Sequence, residues 1–252
     1  MFRTLLMALL FLFATSHAMG GLVINEVLYD STSNDGSDGS NGEWIELYND
    51  SNTAIDVNDF ILSDGDWTIV LPNQTIAAHD YFLIGYASTA SDLNGSPTFD
   101  IDLDSYSSSM IGGATPMTLT NSGEFLGIFD ASGTLLDGVV WENPSTNNRP
   151  GSGTSASVAL PSGHPLGGSL TIPTTGFTSI SGNAGNGESI ARDLDGTGNW
   201  VFSSTLASGN TAGRTNATPE PKQMLMGCLG GILLMTLSPL RSRKRRSPVR
   251  SL

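Results

Sequence analysis

Cysteine and positive charge are what this chain most nearly lacks. Its single cysteine, Cys228, sits inside an apolar run near the C-terminus, so residues 19–217 hold no disulfide and depend on a packed core. Between residues 19 and 218, 23 Asp and Glu face only Arg149, Arg192 and Arg214, a formal charge of −20. A body of that sign repels phosphate backbones and anionic surfaces, which excludes nucleic acid as a partner and suits cations or basic partners. Helical periodicity is missing too: no long stretch of the body repeats its apolar residues every 3.6 positions, which excludes a helix bundle. About 200 residues is enough for one sizeable domain.

Short runs rich in β-branched and aromatic residues are present instead, bounded by Gly, Asn, Asp and Ser. Strands are expected at 22–29 (LVINEVLY), 43–49 (EWIELYN), 67–71 (WTIVL), 81–87 (YFLIGYA), 117–120 (MTLT), 124–129 (EFLGIF), 134–141 (TLLDGVVW) and 199–203 (NWVFS). In EWIELYN, Ile45 and Leu47 fall on one face and Trp44, Glu46 and Tyr48 on the other. Asp130-Ala131-Ser132-Gly133 reads as a hairpin loop in which Gly133 takes a positive φ. Trp44, Trp67, Trp141 and Trp200 lie on or beside these runs as core anchors. The pattern predicts an all-β sandwich.

The two ends carry different signals. Arg3, the apolar run Leu5 to Phe13, and Ser16-His17-Ala18 read as a signal peptide over residues 1–18, cleaved between Ala18 and Met19; the apolar run is too short to span a bilayer. At the other end, the apolar run Met224 to Leu237, extending to Leu240 if it continues through Pro239, spans roughly 21 Å or, in the longer form, roughly 26 Å as a helix, against a bilayer core of about 30 Å. A buried core helix is the competing reading, but Met224 to Leu237 contains no polar stripe. Arg241, Arg243, Lys244, Arg245, Arg246 and Arg250 follow, and the positive-inside rule keeps them cytoplasmic, leaving the acidic body outside.

Pro219-Glu220-Pro221, then that apolar segment, then the basic tail resembles the bacterial PEP-CTERM sorting signal, which spans residues 218–252. The resemblance implies a membrane-embedded, exosortase-type protease as partner and Pro219, Glu220 and Pro221 as the recognition element. It also implies transient anchoring in the inner membrane, then display on the bacterial cell surface or release outside it. The prolines lock φ and remove donors, which keeps the tripeptide extended and accessible.

LVINEVLYD, GEWIELYN, AIDVNDFILSDG, LPNQTIAAHDYFLIG, LTNSGEFLGIFDASGTLLDGVVW and SIARDLDGTGNWVFSS, in that order, resemble the lamin tail domain of exported bacterial proteins. That family implies an immunoglobulin-like β-sandwich over residues 19–217, and the sorting-signal resemblance adds a single C-terminal membrane-sorting helix. The chain departs from it at about 143–187, a Gly/Ser/Thr/Pro-rich insertion expected to be mostly flexible and dispensable, with SVAL and SLTI as the stretches that can pair.

Chemistry is thinly represented. His79 precedes a strand and His164 lies in the insertion, both expected as solvated turn residues, and there is no GxSxG elbow to organise a nucleophile. Glu43 and Glu46 fall on opposite faces of one strand, while Glu26 is expected to hydrogen-bond within the fold, so no carboxylate pair suits glycoside hydrolysis. The loops holding Asp35 and Asp38, and Asp193 and Asp195, alternate oxygen ligands with glycine, as calcium prefers. Asp100, Asp102 and Asp104 share a face if extended, and a solvated acidic surface is the plainer reading of all three segments. Asn49, Asn73, Asn94 and Asn216 head Asn-x-Ser/Thr triplets, expected as surface turns. The expected function is a non-catalytic structural or adhesive module that meets extracellular polysaccharide or matrix proteins; a secreted hydrolase is the alternative.

Overall fold

The alternating residues of the first two runs pair with each other. β1 (Leu22–Leu28) and β2 (Trp44–Asn49) are antiparallel, with Val23 opposite Tyr48 and Val27 opposite Ile45. The ladder slips by one residue between Ile24 and Glu26, so Asn25 is bulged and Glu26 comes to face Glu46. The computed structural model describes residues 21–32, 42–113 and 117–216, all within the unit Met1–Thr218. The expected signal peptide, the sorting helix at 224–240 and its flanks lie outside the described residues. No helix among the described residues is long and apolar enough to cross a membrane.

Two six-stranded sheets form the body. The first runs β16 (Trp200–Phe202), β15 (Ile190–Arg192), β1, β2, β7 (Tyr81–Gly85), β8 (Ile101–Asp102). The second runs β14 (Thr178–Ser179), β11 (Leu135–Val140), β10 (Phe125–Phe129), β4 (Ile61–Ser63), β5 (Trp67–Val70), β9 (Ile111–Gly113). Pairing is antiparallel except at β7/β8 and β11/β14. Two ribbons complete the described residues, β3 (Ile55–Asp56) with β6 (Thr75–Ile76), and β12 (Ser157–Ala159) with β13 (Ser169–Thr171). The fold is all-β and consistent with an immunoglobulin-like sandwich.

One apolar cluster draws on both sheets: Ile24, Val27, Ile45 and Leu47 from the first, Leu62, Ile69, Leu126 and Val139 from the second. Trp67 and Trp141 are fully buried within it, and Trp141 stacks on Tyr29 with ring centroids 4.9 Å apart. The alternation expected along β2 holds, since Ile45 and Leu47 join this cluster while Trp44 belongs to another with Leu28, Leu83 and Ala212. That second face is nonetheless buried, because residues 209–216 lie over it.

MTLT is not a strand. Met117 and Leu119 turn into the core as the alternation implies, but side chains take the backbone groups a ladder would use. Thr118 and Thr120 carbonyls accept the indole N–H of Trp67 (3.2 Å) and Trp141 (3.0 Å), and the N–H groups of Leu119 and Thr120 donate to Glu43 and Glu124. The Asp130–Gly133 loop closes as expected, with Gly133 at φ +80 and Asp130 Oδ1 accepting the N–H of Ser132 and Thr134.

The expectation of a mostly flexible stretch at 143–187 is corrected. SVAL and SLTI do pair, and Val158, Leu160, Leu170 and Ile172 pack on Ile61, Val70, Phe125 and Phe129, covering the second sheet as a third layer. Further on, Thr178–Ser179 extends that sheet, Ile180 and Ala184 enter the main core, and the Ala184 N–H donates to the Tyr29 hydroxyl at 2.9 Å. Four apolar side chains repeating every second residue within two short runs bury enough area to hold a ribbon that composition alone marks as linker.

Candidate functional site

Polar side chains concentrate where β1 and β2 meet the C-terminal end of the described chain. Glu26 and Glu46 are cross-strand partners, and both are fully buried. Glu26 Oε1 accepts the Ser189 hydroxyl, and both its oxygens accept the Thr211 N–H at 3.1 Å, with the Thr211 hydroxyl donating to Oε2. Glu46 Oε1 accepts the Asn25 amide at 2.8 Å, and its Oε2 accepts the Gly213 N–H. Both carboxyl groups therefore bind residues 211–213 to the sheet. Burial raises Glu26 to about 6, opposed by the hydrogen bonds from Ser189 and Thr211. Burial, then the charge of Glu26, pushes Glu46 well above the ordinary carboxylate range. Closed to solvent and engaged by protein donors, this pair holds the chain to the sheet.

Asp195 continues the network. Its Oδ1 accepts the Asn25 amide (3.0 Å) and the Asn216 N–H (3.0 Å), and its Oδ2 accepts the Tyr81 (2.8 Å) and Thr215 (2.7 Å) hydroxyls. Asp193 Oδ1 accepts the Asn199 N–H at 2.7 Å. Calcium at Asp195 would have to displace four protein donors. Asp35 and Asp38 lie outside the described residues, as do Ala18, Met19, Pro219, Glu220 and Pro221.

Other candidates resolve into structural parts. His79 is an exposed turn residue at φ +58, its Nε2 3.1 Å from Asn52 Oδ1. His164 is not solvated: it is 8% exposed, its Nδ1 accepts the Leu166 N–H and its Nε2 reaches the Asp59 carbonyl at 3.0 Å, which assigns the proton to Nε2. Asp100, Asp102 and Asp104 accept the N–H groups of Leu83, Ala87 and Ser88, so they satisfy the backbone along and beyond β7. Asn49 and Asn216 are buried, and the Asn49 amide donates to the carbonyls of Thr53, Ile76 and Ala77, so neither is the surface turn expected of it. Asn73 and Asn94 are exposed.

Two arrangements escape sequence reasoning. The Glu26–Glu46 pairing depends on strand register, which the bulge at Asn25 sets. The second is a cluster of Asp64, Asp66 and Glu124, in which burial, then the charge of Glu124, pushes Asp64 well above its ordinary value. An Asp-Gly-Asp turn is visible in the sequence, but nothing there joins it to Glu124.

The family model for the lamin tail domain matches residues 15–143 of the chain, which takes in β1 to β11. No curated protein and no solved structure matches.

Proposed function

Because the chain belongs to the lamin tail domain family, we propose that it is an exported, non-catalytic structural or adhesive module of the bacterial surface or extracellular matrix. In this reading residues 1–18 direct export, and an exosortase-type membrane protease recognises Pro219-Glu220-Pro221 while residues 224–240 hold the precursor in the inner membrane. The carrying observation is the fastening of the C-terminal segment. Glu26, Glu46 and Asp195 hold the backbone of Thr211, Gly213 and Asn216 against the first sheet, just ahead of the tripeptide. Processing beyond that point leaves the body its own last segment, so anchorage and cleavage act on a finished domain.

Matrix polysaccharide or matrix protein is the partner class this supports, through a cleft beside the fastened segment lined by Asp92, Asn94, Glu188, Ser204 and Asn210, whose carboxylates, amides and hydroxyls complement sugar hydroxyls. The deciding experiment is intact-mass analysis of the native protein from surface and culture fractions. The expected species starts near Met19 and lacks the arginine-rich end, and changing Pro219, Glu220 and Pro221 to alanine retains a membrane-bound precursor. Mature surface protein that still carries Arg241 to Arg250 would overturn the sorting half of the proposal.

A further inference from the structure

The β4–β5 turn, Ser63-Asp64-Gly65-Asp66-Trp67, is closed by its own side chains. Asp64 Oδ1 accepts the N–H groups of Asp66 (3.0 Å) and Trp67 (3.1 Å), while Ser63 Oγ accepts the Gly65 N–H and donates to the Trp67 carbonyl. That leaves Asp64 Oδ2, fully buried and without a hydrogen-bond partner. Its neighbours are two more carboxylates: Asp66, which is exposed, and Glu124, which is 3% exposed and accepts the Thr120 N–H at 2.8 Å. One oxygen of each of the three lies within 4.8 Å of the other two. The ion pair among the described residues, Arg192–Asp137, is elsewhere, so no cation among the described residues pairs with this charge. A buried carboxylate oxygen with no donor, grouped with two acids, lacks a counter-charge.

We propose that Asp64, Asp66 and Glu124 bind a calcium ion that joins the β4–β5 turn to the turn leading into β10. The donor set is all oxygen, which selects a hard cation over zinc or copper. Calcium takes oxygens at about 2.4 Å, so ligands of one ion stand within about 4.8 Å of each other, a condition the three oxygens meet. Magnesium needs a tighter octahedron near about 2.1 Å and keeps several waters, so a site built from protein carboxylates suits it less well than calcium. Gly65 suits the site, since at φ +99 a Cβ there would meet Ser155 Cβ at 2.7 Å and Phe125 Cζ at 2.8 Å. Ser155 belongs to the insertion, so that layer packs over the turn. The inference rests on these residues and not on the export reading.

Thermal unfolding and calcium titration of the full-length chain test it, with terbium luminescence sensitised through Trp67 as an independent readout. Calcium raises the unfolding midpoint, magnesium does so less, and sodium chloride at matched ionic strength does not. Asp66→Asn and Glu124→Gln each weaken calcium binding at least tenfold and abolish the terbium signal. Asp66 is exposed, so its variant carries the test if Glu124→Gln fails to fold. Equal shifts in all three salts overturn the proposal. So does a calcium response that survives Asp66→Asn and disappears in Asp35→Asn/Asp38→Asn or Asp193→Asn/Asp195→Asn.

Discussion

Glu26 and Glu46 stand directly opposite one another on neighbouring antiparallel strands, and neither is exposed to solvent. Like charges in that position are destabilising, and desolvation adds to the cost. The arrangement persists because the donors on Ser189, Asn25, Thr211 and Gly213 converge on the two carboxylates. The sheet thus uses this buried pair to close the domain at its C-terminal segment.

That pair gives stability a pH dependence of unusual sign. Glu26, facing Glu46 and Asp195, is raised by burial from 4.5 to about 6, so the folded chain holds its proton more tightly than the unfolded chain. The associated stability is present below about pH 4.5 and is lost as pH rises through about 6. At about 1.4 kcal/mol per pH unit the loss is about 2 kcal/mol. Glu46, Asp64 and Glu124, the last raised to about 8, act in the same sense, so the part due to Glu26 is the difference from Glu26→Gln. Asp104, Asp130 and Glu188 are lowered and act in the opposite sense at more acidic pH. Urea unfolding from about pH 4.5 to about pH 7.5 should show stability falling, with a flatter profile in Glu26→Gln. A wild-type profile that rises over this window would refute the assignment.

Residues 143–187 should behave as core and not as linker. Leu170 is 2% exposed and packs with Phe125, Phe129, Ile61 and Val70. Leu170→Ala should cost about 2 to 4 kcal/mol in denaturant unfolding. Replacing residues 150–180 by a Gly/Ser linker should uncover that apolar face and end cooperative unfolding. A linker variant as stable as the parent would restore the dispensable-loop reading.

The same residues show how far a sequence can be read. Short β-branched and aromatic runs bounded by turn residues located β1, β2, β5, β7, β10, β11 and β16, because each carries enough such residues to stand out from its flanks. The same reading misassigned MTLT, whose pattern is that of a strand but whose backbone is satisfied by Trp67, Trp141, Glu43 and Glu124 from distant segments. Two-residue strands such as Ile55–Asp56 and Thr178–Ser179 are too short to carry a pattern. For the insertion, pairing was legible in SVAL and SLTI, but their burial depended on an outward apolar face of the second sheet that only the assembled topology exposes. Glu26 was legible as a fold-internal hydrogen-bonding residue, while its partner Glu46 was legible only as facing away from Glu43. Register, which local sequence does not encode, brings the two together.

The two sheets are also tied by Asp137 and Arg192, and this tie should dominate over any surface ion pair. The Arg192 guanidinium meets Asp137 at 2.8 Å, its Nε donates to the Ile24 carbonyl, and it lies 4.8 Å from the Trp200 ring. Asp137, on β11 of the second sheet, also accepts the Ile24 N–H from β1 of the first at 2.9 Å. Both side chains are nearly closed to solvent, 10% and 14% exposed, so removing one strands the other's charge. Asp137→Asn should therefore cost about 3 to 5 kcal/mol. Arg192→Met alone should cost less, because Asp137 keeps the Ile24 N–H as a donor. The double variant should be less destabilised than the sum of the two, by a coupling of about 1 kcal/mol or more, in a denaturant-unfolding double-mutant cycle. Strict additivity would mean that the pair is screened like a surface contact, leaving the Ile24 bonds as the link between the sheets.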